Sequence, residues 1–172
     1  ATSRFVEIHS ENYSVFSIEY ARLLLATASE VDVLCKRLCK VVDPSSTTEN
    51  IADYRRVINQ AYPQFHTIEV IIPRFELSLH PWEAWIGDGN PSWWTSYNKI
   101  KHNRDTYYQQ ANLQNVLNSL AGLFAVVLYL HKAEKIKDRL YPYPRLLSLH
   151  RSPGYLMLAK DWGLPDFQDR DA

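Results

Sequence analysis

The chain has 172 residues, of which 46% are apolar and 22% charged, and Lys plus Arg and Asp plus Glu number 19 each. That length suits one domain with a real core, and that composition excludes a disordered or fibrous chain. Without net charge there is no global field to gather polyanions, so any nucleic-acid contact has to come from a local patch.

From Tyr13 to Val42 the apolar residues Phe16, Tyr20, Leu24, Val31, Leu34, Leu38 and Val41 recur at helical spacing between charged side chains, which predicts a long amphipathic helix. Pro44 stops it, and Ser46 three residues before Glu49 reads as the capping box of a second helix over 47–62, closed by Pro63. Cys35 and Cys39 share one face of the first helix and read as reduced, buried thiols, because no His/Cys set with zinc spacing accompanies them. Between Phe65 and Leu79, HTIEVII and RFELSL alternate polar and apolar residues around Pro73, which predicts two short strands. HPWEAWIGDGNPSWW follows as an ordered loop anchored by its tryptophans.

A third helix is expected from Ser92 to about Asn103, and the strongest helical signal runs from Thr106 to Lys137. Its apolar run around Leu120–Leu130 is interrupted by Gly122 and ends at His131 and Lys132, too short to span a bilayer. The opening ATSRFVEIHSENYS has no basic segment leading into an apolar one, so the expected location is cytoplasmic with no membrane partner. Pro142, Pro144, Pro153 and Pro165 predict an irregular tail over 140–172, with a short strand or turn at GYLMLAK and a frayed DFQDRDA end. The fold class is thus mainly α: a single domain over 1–172, a bundle of about four helices with a two-stranded extended insertion at 65–91.

The chemistry concentrates in SWWTSYNKIKHNR, residues 92–104. On a helix, Asn98 and Lys99 lie four and three positions before His102 and share its face, and Asp105 joins them if the helix continues. Imidazole moves protons near neutral pH, while Lys or Arg offsets phosphate charge, so the set is compatible with phosphodiester chemistry. A lone His in a polar segment is more commonly a hydrogen-bonding residue, and Trp93, Trp94, Tyr97, Tyr107 and Tyr108 are more commonly core aromatics than base-stacking platforms. Glu30 and Asp32 are able to pair with cations of the motif helix across the bundle, though solvated helix charges are the simpler reading. KAEKIKDR at 132–139 extends a cationic surface only if it faces the same side as Lys99 and Lys101.

The run PSWWTSYNKIKHNRDTYYQQANLQNVLNSLAGLFAVVLYL, preceded by HPWEAW, resembles a family of uncharacterised bacterial proteins related to the HEPN superfamily, over roughly residues 80–131. The resemblance implies a helical bundle that dimerises, and in many members a metal-independent endoribonuclease of toxin, antiphage or RNA-processing systems, working without a cofactor. The family signature is an Arg, usually followed by a polar residue, with a His five or six positions after the Arg. By that resemblance His102 holds the catalytic position, Asn98 the polar position, and Tyr97 the place of the Arg. A phenol cannot supply the fixed charge of a guanidinium, which leaves Lys99, Lys101 or Arg104 to substitute.

Two further spacings, Arg74 to His80 and Arg145 to His150, are treated as chance matches, as short motifs produce. Three readings stand at this level. One is an endoribonuclease built on His102, Asn98 and Tyr97, with Lys99, Lys101, Arg104, Trp93 and Trp94 holding substrate. The second is a non-catalytic module that binds RNA or a protein partner, and the third a structural, dimerising domain.

Overall fold

The computed structural model describes residues 6–136, 140–142, 144–150 and 163–167. The first helix, α1 (Ile18–Val42), begins where the Ser17 side chain accepts the Tyr20 N–H, and it ends at Asp43 just before Pro44. It starts five residues later than the spacing predicts, because Ser10–Asn12 forms a 3-10 turn and Phe16 forms an isolated β-bridge with Asn112. The second helix, α2 (Ile51–Ala61), also starts late. Asn50, not Ser46, is its cap: Asn50 Oδ1 accepts from the N–H groups of Ala52 and Asp53, while Asp53 accepts the Glu49 N–H. Ser46 is buried and donates to the Asp43 carbonyl, so the capping chemistry expected at Ser46 operates four residues downstream.

Two strands flank Pro73 as expected. Strands β1 (Val70–Ile72) and β2 (Leu77–Leu79) pair antiparallel, with Val70 opposite Leu79 and Ile72 opposite Leu77. A 3-10 turn at Pro73–Phe75 joins them, with Glu76 left-handed at φ 52°. Ser148 of the tail exchanges both backbone hydrogen bonds with Ile71, adding a bridge to the hairpin.

The helices α3 (Ser92–His102), α4 (Arg104–Tyr107) and α5 (Leu113–Ala133) complete the described helical set. The predicted continuous helix over 106–137 is corrected: the stretch breaks into α4, a 3-10 turn at Tyr108–Gln110, and α5, which restarts where Asn112 Oδ1 accepts the Asn115 N–H. An internal cap outcompetes the apolar periodicity that runs across it.

Helices α1 and α5 form the centre and run in the same direction. At one end the Ser17 N–H donates to the Ala111 carbonyl, and at the other Arg37 pairs with Glu134 at 2.6 Å. On α1, Ala21, Ala28 and Cys35 are fully buried at intervals of seven residues, keeping that line of the helix small for close packing. Both cysteines are free and buried, as the sequence reading expects.

By length and composition alone, α5 as a whole is long and apolar enough to cross a membrane, although its apolar run around Leu120–Leu130 is shorter. Its most apolar window is 72% buried within the fold, so a core position accounts for its composition. The Trp-rich loop is anchored as expected: Trp82, Trp85 and Trp93 are fully buried, with Trp82 Nε1 donating to the Gly122 carbonyl and Trp93 Nε1 to the Pro81 carbonyl.

The tail end differs from the frayed expectation at Asp166 and Phe167. Asp166 accepts from the Gln64 N–H and the Tyr129 hydroxyl, and Phe167 packs on Tyr62 and Tyr129. GYLMLAK and residues 168–172 lie outside the described residues.

Candidate functional site

α3 buries Trp93, Trp94, Ser96, Tyr97 and Ile100, a three- and four-residue spacing that turns one face into the core. The Pro91 carbonyl receives the N–H groups of Trp94 and Thr95, and Asn115 Nδ2 donates to Ser96 Oγ, fixing α3 antiparallel to α5. The helix stops at Asn103, whose φ of −141° is extended and whose N–H returns to the Lys99 carbonyl. Lys99, Lys101 and His102 therefore occupy the last turn, where positive charge complements the exposed carbonyl end of the helix.

Each of the nearby cations stands on a tyrosine. Lys101 Nζ lies 5.6 Å from the Tyr97 ring centroid, Lys99 Nζ 5.2 Å from Tyr107, and Arg104 Cζ 5.9 Å from Tyr108. Such contacts hold a cation at an exposed site with about 0.5–1 kcal/mol while leaving its hydrogen-bond donors free. Lys99, Lys101, His102 and Arg104 are all exposed, and among the described residues no carboxylate forms an ion pair with them. The outcome is a positive, water-facing ledge backed by the buried ring of Tyr97 and the half-buried rings of Tyr107 and Tyr108.

The predicted site residues thus separate into two groups. Lys99, Lys101, His102 and Arg104 come together on the surface. Trp93 and Trp94 do not join them as stacking platforms: Trp93 is 1% exposed with its N–H already used, and Trp94 packs edge-on to Trp93 and tilted against Tyr97. Tyr97 is buried, with only one ring face under Lys101. Asn98 is half-buried, and among the described residues neither it nor His102 makes a side-chain hydrogen bond. Asp105 is off the face of His102, because the helix breaks between them.

The aromatic surface comes instead from Tyr107, Tyr108 and a residue that sequence reasoning assigns to the first helix. Phe16, 45% exposed, meets Tyr108 edge-on at 5.5 Å. Its nearness follows from pairing with Asn112, a contact across nearly a hundred residues that no local pattern announces.

Two charged stretches fall elsewhere. Asp32 accepts from Tyr54 Oη and pairs with Lys36 on its own helix, so it does not reach α3. Lys132 lies over the Phe167 ring, 17 residues beyond Asn115 along α5. At the helical rise that is roughly 26 Å in the direction away from His102, so Lys132 does not extend the ledge, and Lys137 and Arg139 lie outside the described residues. Of the chance spacings, Arg74 sits exposed in the hairpin turn, and the His150 ring packs against Gly163. Among the described residues no group of His, Cys, Asp and Glu is arranged to hold a metal. Compared with known proteins, the chain matches no family model, no curated sequence and no solved structure.

Proposed function

We propose that the chain is a HEPN-like helical module that holds the backbone of single-stranded RNA on the ledge at the end of α3. The observation that carries this reading is the exposed trio Lys99, Lys101 and Arg104, each seated on a tyrosine and none paired with a carboxylate among the described residues. Ammonium and guanidinium groups with free donors suit phosphate oxygens, and the exposed parts of Tyr107, Tyr108 and Phe16 offer faces and edges to bases.

The test is anisotropy of a labelled single-stranded RNA across a salt series. Binding should weaken with a slope near −0.7 per phosphate contacted, and Lys99→Gln, Lys101→Gln and Arg104→Gln should each flatten that slope by about one contact. Binding whose salt slope survives the triple substitution sinks the proposal, as does a folded wild type that leaves the RNA free at low salt.

A second reading, metal-independent cleavage, is favoured by one observation. Lys101 stands over Tyr97, and so brings a positive charge to the neighbourhood where the family signature places its Arg. In that reading His102 moves the proton, Asn98 orients substrate, and a second copy completes the site at a two-fold axis. Incubation of RNA with chelator, comparing wild type, His102→Ala and His150→Ala, separates the two readings. Cutting lost only in His102→Ala establishes a ribonuclease, whereas binding without cutting leaves the RNA-holding role.

A further inference from the structure

A separate cavity of about 660 Å3 opens between α2 and the loop after Trp85, lined by Asp53, Arg55, Arg56, Asn59, Trp85 and Asp88 among others. It shares no residue with the ledge on α3. Its volume lies in the range of small-molecule sites.

Its walls are chemically unfinished. Asn59 Nδ2 donates to the Trp85 carbonyl, but the Asn59 Oδ1 acceptor is buried without a hydrogen-bond partner among the described residues. Trp85 is 1% exposed, and its indole N–H is likewise buried and unpartnered among the described residues, while the indoles of Trp82 and Trp93 are both tied to carbonyls. Buried polar atoms in folded proteins nearly always find partners, so a leftover donor and a leftover acceptor on two lining residues mark a place for a ligand.

The charges add a direction. The Arg55 side chain is only 15% exposed and donates to the Gly89 carbonyl and to Asp88, whose own side chain is fully exposed. A shielded guanidinium held by a fully hydrated carboxylate is poised to exchange it for an incoming oxyanion. Asp53 does not compete for that anion's place as a free acceptor, because its Oδ2 already receives the Glu49 N–H and Asn50 Nδ2. Ile86, 77% exposed, and Asp88 form the rim, and Gly87 between them has open space around it.

We propose that this cavity binds a small ligand carrying an oxyanion and an amide-like edge. The oxyanion takes Arg55 in place of Asp88, with Arg56 beside it. The edge donates its N–H to Asn59 Oδ1 and offers its carbonyl to Trp85 Nε1. Because both protein atoms are shielded from solvent, the ligand reaches them as the side chains that cover them move aside.

The experiment follows the tryptophan indole N–H resonances by NMR, with Trp85 assigned from Trp85→Phe. The probes are uridine 5′-monophosphate as a phosphate source, N-acetylglycine as a carboxylate source, and inorganic phosphate and uridine as halves of the ligand. The expected result is a downfield shift of the Trp85 indole proton with one of the first two probes, while the Trp82 and Trp93 indole protons stay in place. Arg55→Gln should weaken that probe at least about tenfold, the scale of one charge-assisted hydrogen bond. Asp88→Asn, on the fully exposed rim, should tighten it, and Lys99→Gln should leave it unchanged. The proposal is overturned if neither probe moves the Trp85 resonance while that proton shows contact with water. Inorganic phosphate binding as well as the full probes, or an affinity indifferent to both Arg55→Gln and Asp88→Asn, overturns it equally.

Discussion

Gly122 sits in the middle of α5, where a glycine ordinarily weakens a helix, and replacing it by alanine should gain about 0.8–1 kcal/mol in backbone propensity. The packing predicts the opposite sign. A Cβ at this position would stand 2.9 Å from Trp93 Cζ2, 3.4 Å from Trp93 Cη2 and 3.5 Å from Trp82 Cζ2. The obstructing atoms belong to a rigid ring that is 1% exposed, wedged against Trp82 and Trp94 and held by its N–H on Pro81. Overpacking of this kind costs about 1–3 kcal/mol, so Gly122→Ala should destabilise the protein by about 1 kcal/mol net, or roughly 2–4 °C in Tm for a chain of this size. Trp93→Phe removes both obstructing atoms. In that background the alanine should turn neutral or stabilising, giving a coupling of at least about 1 kcal/mol in a double-mutant cycle read by urea unfolding. If Gly122→Ala alone raises the midpoint as a free helical glycine would, the close approach of α5 to Trp93 is not what requires the glycine.

Two further outcomes follow from buried acids. The Tyr54 and Tyr129 phenols are pushed above their ordinary value near 10, by burial first and then by hydrogen bonds to Asp32 and Asp166. The fold therefore favours the neutral phenols: their contribution is complete below about pH 10 and is lost as pH rises toward the folded-state values. Tyr54→Phe and Tyr129→Phe should each lower stability by about 1 kcal/mol at neutral pH and flatten the alkaline decline, measured as urea midpoints across the alkaline range. An alkaline decline as steep in both variants as in the wild type would show that other groups carry it. Burial likewise raises the Cys35 thiol well above its usual value and the Cys39 thiol to about 11. Both should resist an aromatic disulfide reagent in the native protein and react together only on unfolding; rapid labelling at neutral pH would contradict their enclosure.

Much of the architecture was legible because local chemistry and tertiary packing agree. The period of α1, the break at Pro44, the hairpin around Pro73 and the tryptophan anchors all express one physical demand at two levels. The misplacements occur where a short-range polar group outcompetes an apolar pattern. Asn50 takes over the cap expected of Ser46, and Asn112 cuts the long helix, because each offers a carbonyl oxygen to orphan N–H groups that periodicity does not count. Contacts across the chain were beyond local reading: the bridge of Ser148 to Ile71 and the binding of Asp166 to Gln64 and Tyr129 join residues 77, 102 and 37 positions apart.

The motif on α3 shows why a cluster legible in sequence resolves into parts with different physics. Residues in WWTSYNKIKH are neighbours in the chain, but a helical turn sends Trp93, Trp94 and Tyr97 inward and Lys99, Lys101 and His102 outward. The aromatics, for which a core role is the commoner reading of the sequence, define where the cations stand, and Tyr97 does both by burying one part of its ring and supporting Lys101 with the other. That division makes the two groups separable by experiment. Exchanging Lys99 and Lys101 for Gln alters the charge of a surface without touching the core, whereas exchanging Trp93 removes packing from the centre and is expected to cost about 3–5 kcal/mol when truncated to Ala. A loss of RNA binding in the lysine variants at unchanged stability therefore reads on function alone, and the same loss in a tryptophan variant reads first on the fold.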